Sequence, residues 1–359
     1  MNKLILCAFM AAAVLSAREP SMKLTEKKLT RKGETFTVKQ WSVKFHHSDL
    51  TLKNTFDKDG KLVKKAWEDF FLGLHHGTIS NGSWDIWNFI YAQDIKGKAL
   101  PDSAAAEQVS FIRFPDSSSV NMAWKNGVIK VLQTSGAAQW VYVKVTLPAG
   151  IRQVTFRLRP GGAHSGIKGR ERWIRYNGKD TASEFFKTRT IPVAANVDGM
   201  AFFNRNYSEK NGNFLVFESE KIARITNHTE NPVTVIFHAK PGVKELNFAL
   251  GYFLNQDAQE VIQRFLVEQL PNLRKSLDAV QWDKAPDFTE FSKNAEQVKN
   301  LISGIQEADK AKYEQEFQAI QKHYESAKAN NDQNKYVNAL ERLRNLQKKI
   351  GASALDSLM

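Results

Sequence analysis

Short stretches of alternating apolar and polar residues recur from residue 34 to residue 252, and tight-turn signals separate most of them. Strict alternation is typical of a strand with one buried face, and Asn-Gly between two such stretches is a strong hairpin signal. The turn signals are Asn126-Gly127, residues 148–151, Asn177-Gly178, Asn211-Gly212 and Pro241-Gly242. Strands do not alternate with helical patterns, so a parallel α/β fold is disfavoured. The sequence predicts a mainly β chain, with a large antiparallel β-sandwich of roughly a dozen strands and a C-terminal α-helical hairpin.

Residues 139–177 are predicted to form consecutive antiparallel strands. Residues 140–147 and 153–159 each carry valine, phenylalanine or leucine at every second position. A four-residue turn at 148–151 would join them as a hairpin whose apolar residues share one face. This register would place Trp140 opposite Arg159 and Tyr142 opposite Arg157, on the face that points away from the core.

Other stretches give less regular signals. Residues 34–45 and 44–55 are predicted as the first two strands, whereas residues 61–74 suit either a helix or a loop that leads into a strand. Residues 84–91 are apolar on both faces, which favours a strand inside the sandwich with Trp84 and Trp87 in the core. The Asn177-Gly178 hairpin should place Arg175 beside Asp180.

The sequence becomes helical after residue 257. Residues 258–270 have apolar residues at helical spacing, and Pro271 is predicted to interrupt that helix. From Asp287 onward the spacing is again helical, with a bend or break at Gly304 and a turn at residues 330–333. The predicted domains are a signal peptide at 1–17, a sandwich at 18–256, a helix and linker at 257–286, and a coiled-coil-like helical hairpin at 287–359.

The N-terminus predicts export. Asn2 and Lys3 precede a twelve-residue apolar run that is followed by Ser16 and Ala17, as in a secretory signal peptide. The run is too short to span a membrane well, so no transmembrane segment is expected after cleavage. The only cysteine, Cys7, lies in this segment, and a cysteine-free exported chain favours a bacterial protein in the periplasm or outside the cell.

Basic residues concentrate in the β region. Residues 152–190 contain 10 Lys and Arg against 3 Asp and Glu, and residues 18–65 contain 13 against 6, whereas residues 287–350 are almost balanced at 11 against 10. Such an excess favours an anionic partner, and export argues against nucleic acid. We therefore expect an acidic polysaccharide or another anionic envelope polymer, although net charge also serves solubility alone.

The candidate ligand site is the outward face of the predicted hairpin. Sugar rings stack on aromatic side chains, and guanidinium groups bind carboxylate or sulfate in pairs of hydrogen bonds. The predicted ligand-binding residues are Trp140, Tyr142, Arg157, Arg159, Lys168 and Arg170. The competing interpretation is that a second sheet or the helical tail covers this face, which would make the same residues structural.

Two other motifs have weaker support. His46-His47 and His75-His76 cannot chelate one metal ion as adjacent strand residues, so no metal site is predicted. The glycine-rich loop at 160–170 lacks the Walker pattern, and Ser165 is not in a G-x-S-x-G motif. No cofactor motif is present.

Three functions follow from these observations. The first is noncatalytic binding of an anionic carbohydrate or envelope polymer. The second is an envelope interaction protein that binds a partner or itself through residues 287–350. The third is an enzyme on acidic polysaccharide: a lyase with Tyr142 or His164 as base, or a hydrolase with two carboxylates from Glu68, Asp69, Asp85 and Asp94.

Overall fold

The structure is a computed structural model of the whole chain. Its compact units are residues 1–111 with 117–280, and residues 112–116 with 281–359. It describes residues 19–61, 63, 70–73, 90–94, 108–124, 127–137, 140–147, 150–158, 172–183, 188–204, 212–229, 233–253, 262–284, 287–305 and 307–356.

Eighteen strands lie within the described residues. They are β1 Ser21–Arg31, β2 Glu34–Lys44, β3 Asp49–Phe56, β4 Phe70–Gly73, β5 Ile90–Asp94, β6 Gln108–Arg113, β7 Ser117–Trp124, β8 Gly127–Thr134, β9 Trp140–Thr146, β10 Ile151–Leu158, β11 Arg172–Tyr176, β12 Lys179–Ser183, β13 Thr188–Ile191, β14 Gly199–Asn204, β15 Gly212–Phe217, β16 Ile222–Thr229, β17 Val233–Ala239 and β18 Glu245–Phe253. The predicted large antiparallel sandwich followed by a helical hairpin is confirmed.

The strands form three sheets. The nine-stranded sheet has the order β12-β11-β14-β15-β18-β9-β8-β7-β6, the five-stranded sheet β13-β16-β17-β10-β5, and the four-stranded sheet β1-β2-β3-β4. The two larger sheets face each other across a common core. Phe156 of the five-stranded sheet contacts Phe248 of the nine-stranded sheet edge-on, with 4.6 Å between ring centroids. Phe237 lies between Phe217 and Phe248, at 5.0 and 5.2 Å.

The predicted hairpin of β9 and β10 is wrong. β9 pairs with β8 and β18 in the nine-stranded sheet, whereas β10 pairs with β5 and β17 in the five-stranded sheet. The chain crosses from one sheet to the other just before β10, where Gly150 has a φ of +83°. Both strands still bury their alternate apolar residues in the same core, so the alternation alone does not decide which sheet holds each strand.

The connection at Pro241-Gly242 also crosses between these sheets. β17 belongs to the five-stranded sheet and β18 to the nine-stranded sheet, so the hairpin expected there is also wrong. Gly242 again has a φ of +83°. The crossings lie side by side, because Leu147 N–H donates to the carbonyl of Lys244 at 2.7 Å.

The three Asn-Gly signals join antiparallel neighbours as predicted. β7 pairs with β8, β11 with β12, and β14 with β15. Asn177 and Gly178 have φ values of +48° and +68°, which is the backbone of a two-residue hairpin turn. Arg175 donates to Asp180 Oδ1 at 2.5 Å and to Oδ2 at 2.9 Å, so their predicted pairing is confirmed.

β1 was not predicted from the sequence. It forms an antiparallel hairpin with β2 through Lys32 and Gly33, whose φ values are +50° and +80°. Its residues are mostly exposed and polar, so it lacks the strict alternation that marks a half-buried strand. β2 matches the first predicted strand to within one residue, whereas β3 begins five residues later than the second predicted strand.

A helix covers the other face of the nine-stranded sheet. Residues 262–264 are helical, a π-helical segment follows at Phe265–Gln269, and α1 spans Leu270–Asp278. Phe214 of β15 stacks on Phe265 at 4.4 Å. Pro271 does not end the helix as predicted, since it lies in the first turn of α1, where its missing N–H is tolerated.

The helical unit contains α2 Thr289–Ser303, α3 Glu307–Ala329 and α4 Gln333–Asp356. α2 ends at Gly304, where a bend or break was predicted, and α3 and α4 form the hairpin. Phe291 of α2 stacks on Tyr324 of α3 with ring centroids 4.0 Å apart. The short segment 112–116 belongs to this unit, in which Arg113 pairs with Glu341 at 3.0 Å.

Some predictions fall where the structure gives no description. The signal peptide, His75-His76, Trp84, Trp87 and the glycine-rich loop 160–170 lie outside the described residues. Within the part of the chain that is described, no helix combines the length and the apolar character needed to cross a membrane.

We predict that Gly251→Ala destabilises the β unit. A Cβ at Gly251 would lie 2.0 Å from Cζ of Phe214, and this ring is itself buried against Phe265. Overpacking of this kind costs about 1–3 kcal/mol in the free energy of unfolding. The measurement is the midpoint of urea unfolding, monitored by tryptophan fluorescence. The matched control is Gly136→Ala, whose Cβ would meet no atom within 4 Å and should leave the midpoint unchanged or slightly higher. Equal midpoints for the two variants would contradict the packing.

Candidate functional site

The structure does not assemble the predicted face of aromatic and arginine side chains. Trp140 pairs with Gly251 of β18, and Arg157 pairs through its backbone with Thr234 of β17, so the aromatic and arginine residues lie in different sheets. The side chain of Arg157, and the whole of Arg159, Lys168 and Arg170, lie outside the described part of the chain. The predicted pairs Trp140–Arg159 and Tyr142–Arg157 are therefore wrong. A ligand-binding role for the individual residues stays a prediction.

Tyr142 is covered by the helix. Its side chain is only 4% exposed, and its hydroxyl is 2.9 Å from Ser276 Oγ. Ser276 donates its own proton to the carbonyl of Leu273, so the Tyr142 hydroxyl is the donor to Ser276. This arrangement fits the structural interpretation, with α1 and its preceding turns as the covering layer.

A different cluster lies at one end of the five-stranded sheet, and we call it the basic sheet end. It consists of Arg152, Arg224, Thr226, His238 and Lys240. Arg224 and Gln153 are the backbone partners of His238 on its two sides, and Arg152 precedes Gln153. Lys240 follows β17 directly, and its N–H donates to the carbonyl of Lys221 at 2.9 Å. The cluster thus lies where β10 begins and β17 ends, beside the β9–β10 and β17–β18 crossings between the sheets.

Two irregularities in strand pairing shape this end of the sheet. The register shifts between Ile151 and Gln153 in β10, and between Ile222 and Arg224 in β16. An irregularity of this kind bends the strand and re-aims the side chains beside it. Arg152 and Arg224 are each next to such a shift, and both side chains are exposed.

The cations of the basic sheet end are not neutralised by described carboxylates. Arg152, Arg224 and Lys240 are exposed, and none of them forms an ion pair with an Asp or Glu that the structure describes. Two other cations of the sandwich are paired: Lys144 lies 3.0 Å from Glu245, and Arg175 binds Asp180. Exposed charges of one sign at one end of a sheet create a local potential that attracts anions.

His238 is neutral at physiological pH. Burial, and secondly the charge of Arg224, lower its pKa from 6.5 to about 4. Nδ1 lies 3.3 Å from Nη2 of Arg224 and must accept, because guanidinium nitrogens only donate. Nε2 therefore carries the proton and donates to Thr226 Oγ1 at 3.0 Å. Both ring nitrogens are engaged, so the imidazole orients Arg224 and Thr226 and is not poised as a free base.

The sheet face becomes more buried from β16 towards β10. Thr226 and His238 are half-buried, Gln153 is buried, and Thr155 is only 2% exposed. Thr155 Oγ1 has no hydrogen-bond partner among the described residues. The exposed part of this face, where a ligand can reach, is therefore the basic sheet end itself.

Sequence reasoning missed the basic sheet end because it predicted no strand at residues 222–229 and expected residues 233–239 to pair with the strand that follows them. Arg224 and Thr226 alternate in β16, and Ile236 and His238 alternate in β17. Each alternation is visible in the sequence as a set of positions on one strand face. What the sequence does not show is that Arg224 and His238 are direct neighbours, or that Arg152 joins them from β10.

Other polar clusters are structural. His47 donates through Nε2 to the carbonyl of Ser135 at 2.9 Å, and its backbone N–H donates to Gln133 Oε1 at 2.8 Å. Arg274 of α1 pairs with Glu220 at 2.9 Å, with Asp198 at 3.4 Å and with Asp278, which anchors the helix to the sheet. The described residues contain no group of three or more His, Cys, Asp or Glu side chains that could hold a metal ion.

No protein-family model and no curated protein matches the chain. Among solved structures, the chain is similar to a candidate aldose 1-epimerase from Klebsiella pneumoniae, with 12% identity, a TM-score of 0.36, and coverage of 75% of this chain and 90% of the other. An α-N-acetylgalactosaminidase from Bifidobacterium bifidum has 10% identity, a TM-score of 0.35, and coverage of 76% and 42%. The periplasmic domain of Thermotoga maritima YidC has 12% identity, a TM-score of 0.26, and coverage of 71% and 100%. At these values the similarities support no inference about activity, ligand or partner.

We predict that His238 titrates at about pH 4, as measured by the ring chemical shifts in NMR. Arg224→Gln should raise this pKa by removing the nearby positive charge, but not to 6.5, because burial remains. A pKa above 6 in the unmodified protein would contradict the described environment.

The same shift predicts the direction of a pH effect on stability. The folded-state pKa of His238 lies below the unfolded value of 6.5, so the unfolded chain takes up the proton first as the pH falls. The contribution of His238 to the free energy of unfolding is therefore complete above pH 6.5 and declines towards about pH 4. His238→Gln should flatten this part of the stability curve, measured by urea unfolding at a series of pH values.

Proposed function

We propose that this protein is a noncatalytic β-sandwich that binds an anionic polysaccharide through the basic sheet end. The observation that carries the proposal is that three exposed cations, Arg152, Arg224 and Lys240, lie at one end of the same sheet without an ion pair to a described carboxylate, and that Arg224 contacts a neutral His238. Cations at the same end of a sheet repel one another, and a bound anion relieves that repulsion.

The chemistry of the cluster suits a carboxylated or sulfated sugar chain. The guanidinium of Arg224 has five N–H donors in a planar fork, which matches the two oxygens of a carboxylate or sulfate. Its contact with His238 Nδ1 uses one of them. Lys240 adds a flexible second charge, and the side chain of Thr226 offers a neutral group for a sugar hydroxyl.

Binding is better supported than catalysis at the positions that sequence analysis singled out. Tyr142, the candidate lyase base, is buried and donates its proton to Ser276. His238 has a low pKa and both nitrogens engaged, so it is a weak general base at neutral pH.

We also propose that the chain is exported, so that the polymer is met in the periplasm or outside the cell. The support is the signal-like composition of residues 1–17. The described chain enters its first strand at Ser21, close to the expected cleavage point. Sequencing the N-terminus of the protein secreted by a bacterial host would test this proposal.

We predict that Arg224→Gln and Lys240→Gln each weaken retention on heparin and polygalacturonate columns. Exposed charge contacts contribute up to about 1 kcal/mol, so each affinity should fall by up to about fivefold. The control with the same chemical change is Arg342→Gln, an exposed arginine of α4, which should bind as the unmodified protein does. Arg157→Gln tests the predicted ligand residue that shares β10 with Arg152.

Three results would contradict the proposal. Equal retention of Arg224→Gln and the unmodified protein would remove the basic sheet end as the site. Equal losses for Arg342→Gln and Arg224→Gln would show an effect of net charge alone. Retention on neutral dextran as strong as on polygalacturonate would show that the anion is not what is recognised.

A further inference from the structure

β1 is an unusually long edge strand. It spans eleven residues, Ser21–Arg31, and pairs with β2 in continuous register without a bulge. The mean strand in globular proteins is about 5–6 residues. Within the described residues β1 has a strand neighbour on one side only, because it is the outermost member of the four-stranded sheet.

The outer edge of β1 has few of the features that protect sheet edges. Proteins usually shorten such strands, interrupt them with proline or a bulge, or place charged side chains on them. β1 has neither proline nor bulge, and two leucines are exposed: Leu24 at 54% and Leu29 at 44%. The remaining protection is electrostatic.

The positive charge of β1 disfavours pairing with the β1 strand of a second copy of this chain. The strand contains Lys23, Lys27, Lys28 and Arg31 against Glu26 alone, and Glu26 lies 4.0 Å from Lys39 of β2. Antiparallel pairing of two β1 edges would bring like charges together, and like charges on facing strands are destabilising. The same cations favour a strand that carries carboxylates.

We propose that the β1 edge binds an acidic, extended segment of a partner polypeptide by strand addition. In this mode the backbone N–H and C=O groups of the edge supply the affinity, and side chains at alternate positions supply the specificity. Lys23 and Lys27 share one strand face and contact acidic side chains of the added strand. Leu24 and Leu29 lie on opposite faces and add an apolar contact on each.

This proposal does not depend on polysaccharide binding at the basic sheet end. β1 belongs to the four-stranded sheet, whereas Arg224 and His238 belong to the five-stranded sheet. An experiment that contradicts one proposed binding site therefore leaves the other proposal unaffected. The Arg224→Gln variant should bind an acidic peptide as the unmodified protein does.

The test uses a synthetic ten-residue peptide of alternating Glu and Thr and the same peptide with every second amide N-methylated. With the unmethylated peptide, amide hydrogen exchange at alternate residues of β1 should slow by tenfold or more, because their N–H groups gain acceptors. Lys23→Glu combined with Lys27→Glu should weaken binding by at least tenfold. The matched control is Lys179→Glu combined with Lys328→Glu, two exposed lysines outside the four-stranded sheet, which should leave binding unchanged.

Each alternative occupant gives a different result, and each would overturn the proposal. Equal binding of the N-methylated peptide would show attraction between charges without strand pairing. Protection of β1 without peptide, together with a concentration-dependent doubling of mass, would identify a second copy as the occupant. Protection of the same amides by heparin and not by the peptide would assign the edge to a polysaccharide. Amide hydrogen exchange in β1 that no probe changes would show that the edge binds none of them.

Discussion

The contact between phenylalanine rings of the two larger sheets determines the rest of the structure. Phe156 and Phe237 from the five-stranded sheet interlock with Phe217 and Phe248 from the nine-stranded sheet, with centroid distances of 4.6–5.8 Å among them. Edge-to-face pairs of this kind bury a large apolar area and hold the two sheets in one relative position. Because β9 and β18 belong to the nine-stranded sheet and β10 and β17 to the five-stranded sheet, the chain changes sheets both between β9 and β10 and between β17 and β18. The crossings in turn bring Arg152 and Lys240 to the same end of the molecule.

The nine-stranded sheet uses both of its faces for packing. One face meets the five-stranded sheet, and the other receives the helix through Phe214, Phe265 and the contact of Gly199 with Leu270. Glycine at 199 and 251 allows this close approach, since a side chain at either position would collide with its neighbour. Tyr142, one of the aromatic residues that suggested a sugar platform, is therefore buried beneath this helix.

Arg224 differs from two other arginines of the β unit in the group that it contacts. Arg274 is surrounded by three carboxylates and Arg175 by one, and these pairs fix backbone elements to one another. At the basic sheet end the nearest described partner of Arg224 is instead a neutral imidazole, which orients the guanidinium without cancelling its charge. Arg224 can therefore give up its weak contact with His238 and bind an anion, and the loss of that contact costs little free energy.

The sequence by itself determined the mainly β class, the three Asn-Gly hairpins, the pairing of Arg175 with Asp180, and the C-terminal helices with their break at Gly304. These features depend on local backbone preference and on periods of 2 and 3.6 residues, which neighbouring residues fix. Only the tertiary structure decided that the connections at 148–151 and at Pro241-Gly242 cross between sheets, that β1 forms an edge, and that Arg152 lies at the same sheet end as the neighbours Arg224 and His238. The alternation of Val141 or Val154 shows which side chains face the core, but a core between two sheets accepts a strand from either side. Sheet membership, and with it the location of the candidate site, is therefore set by the packing of the whole chain and not by any single strand.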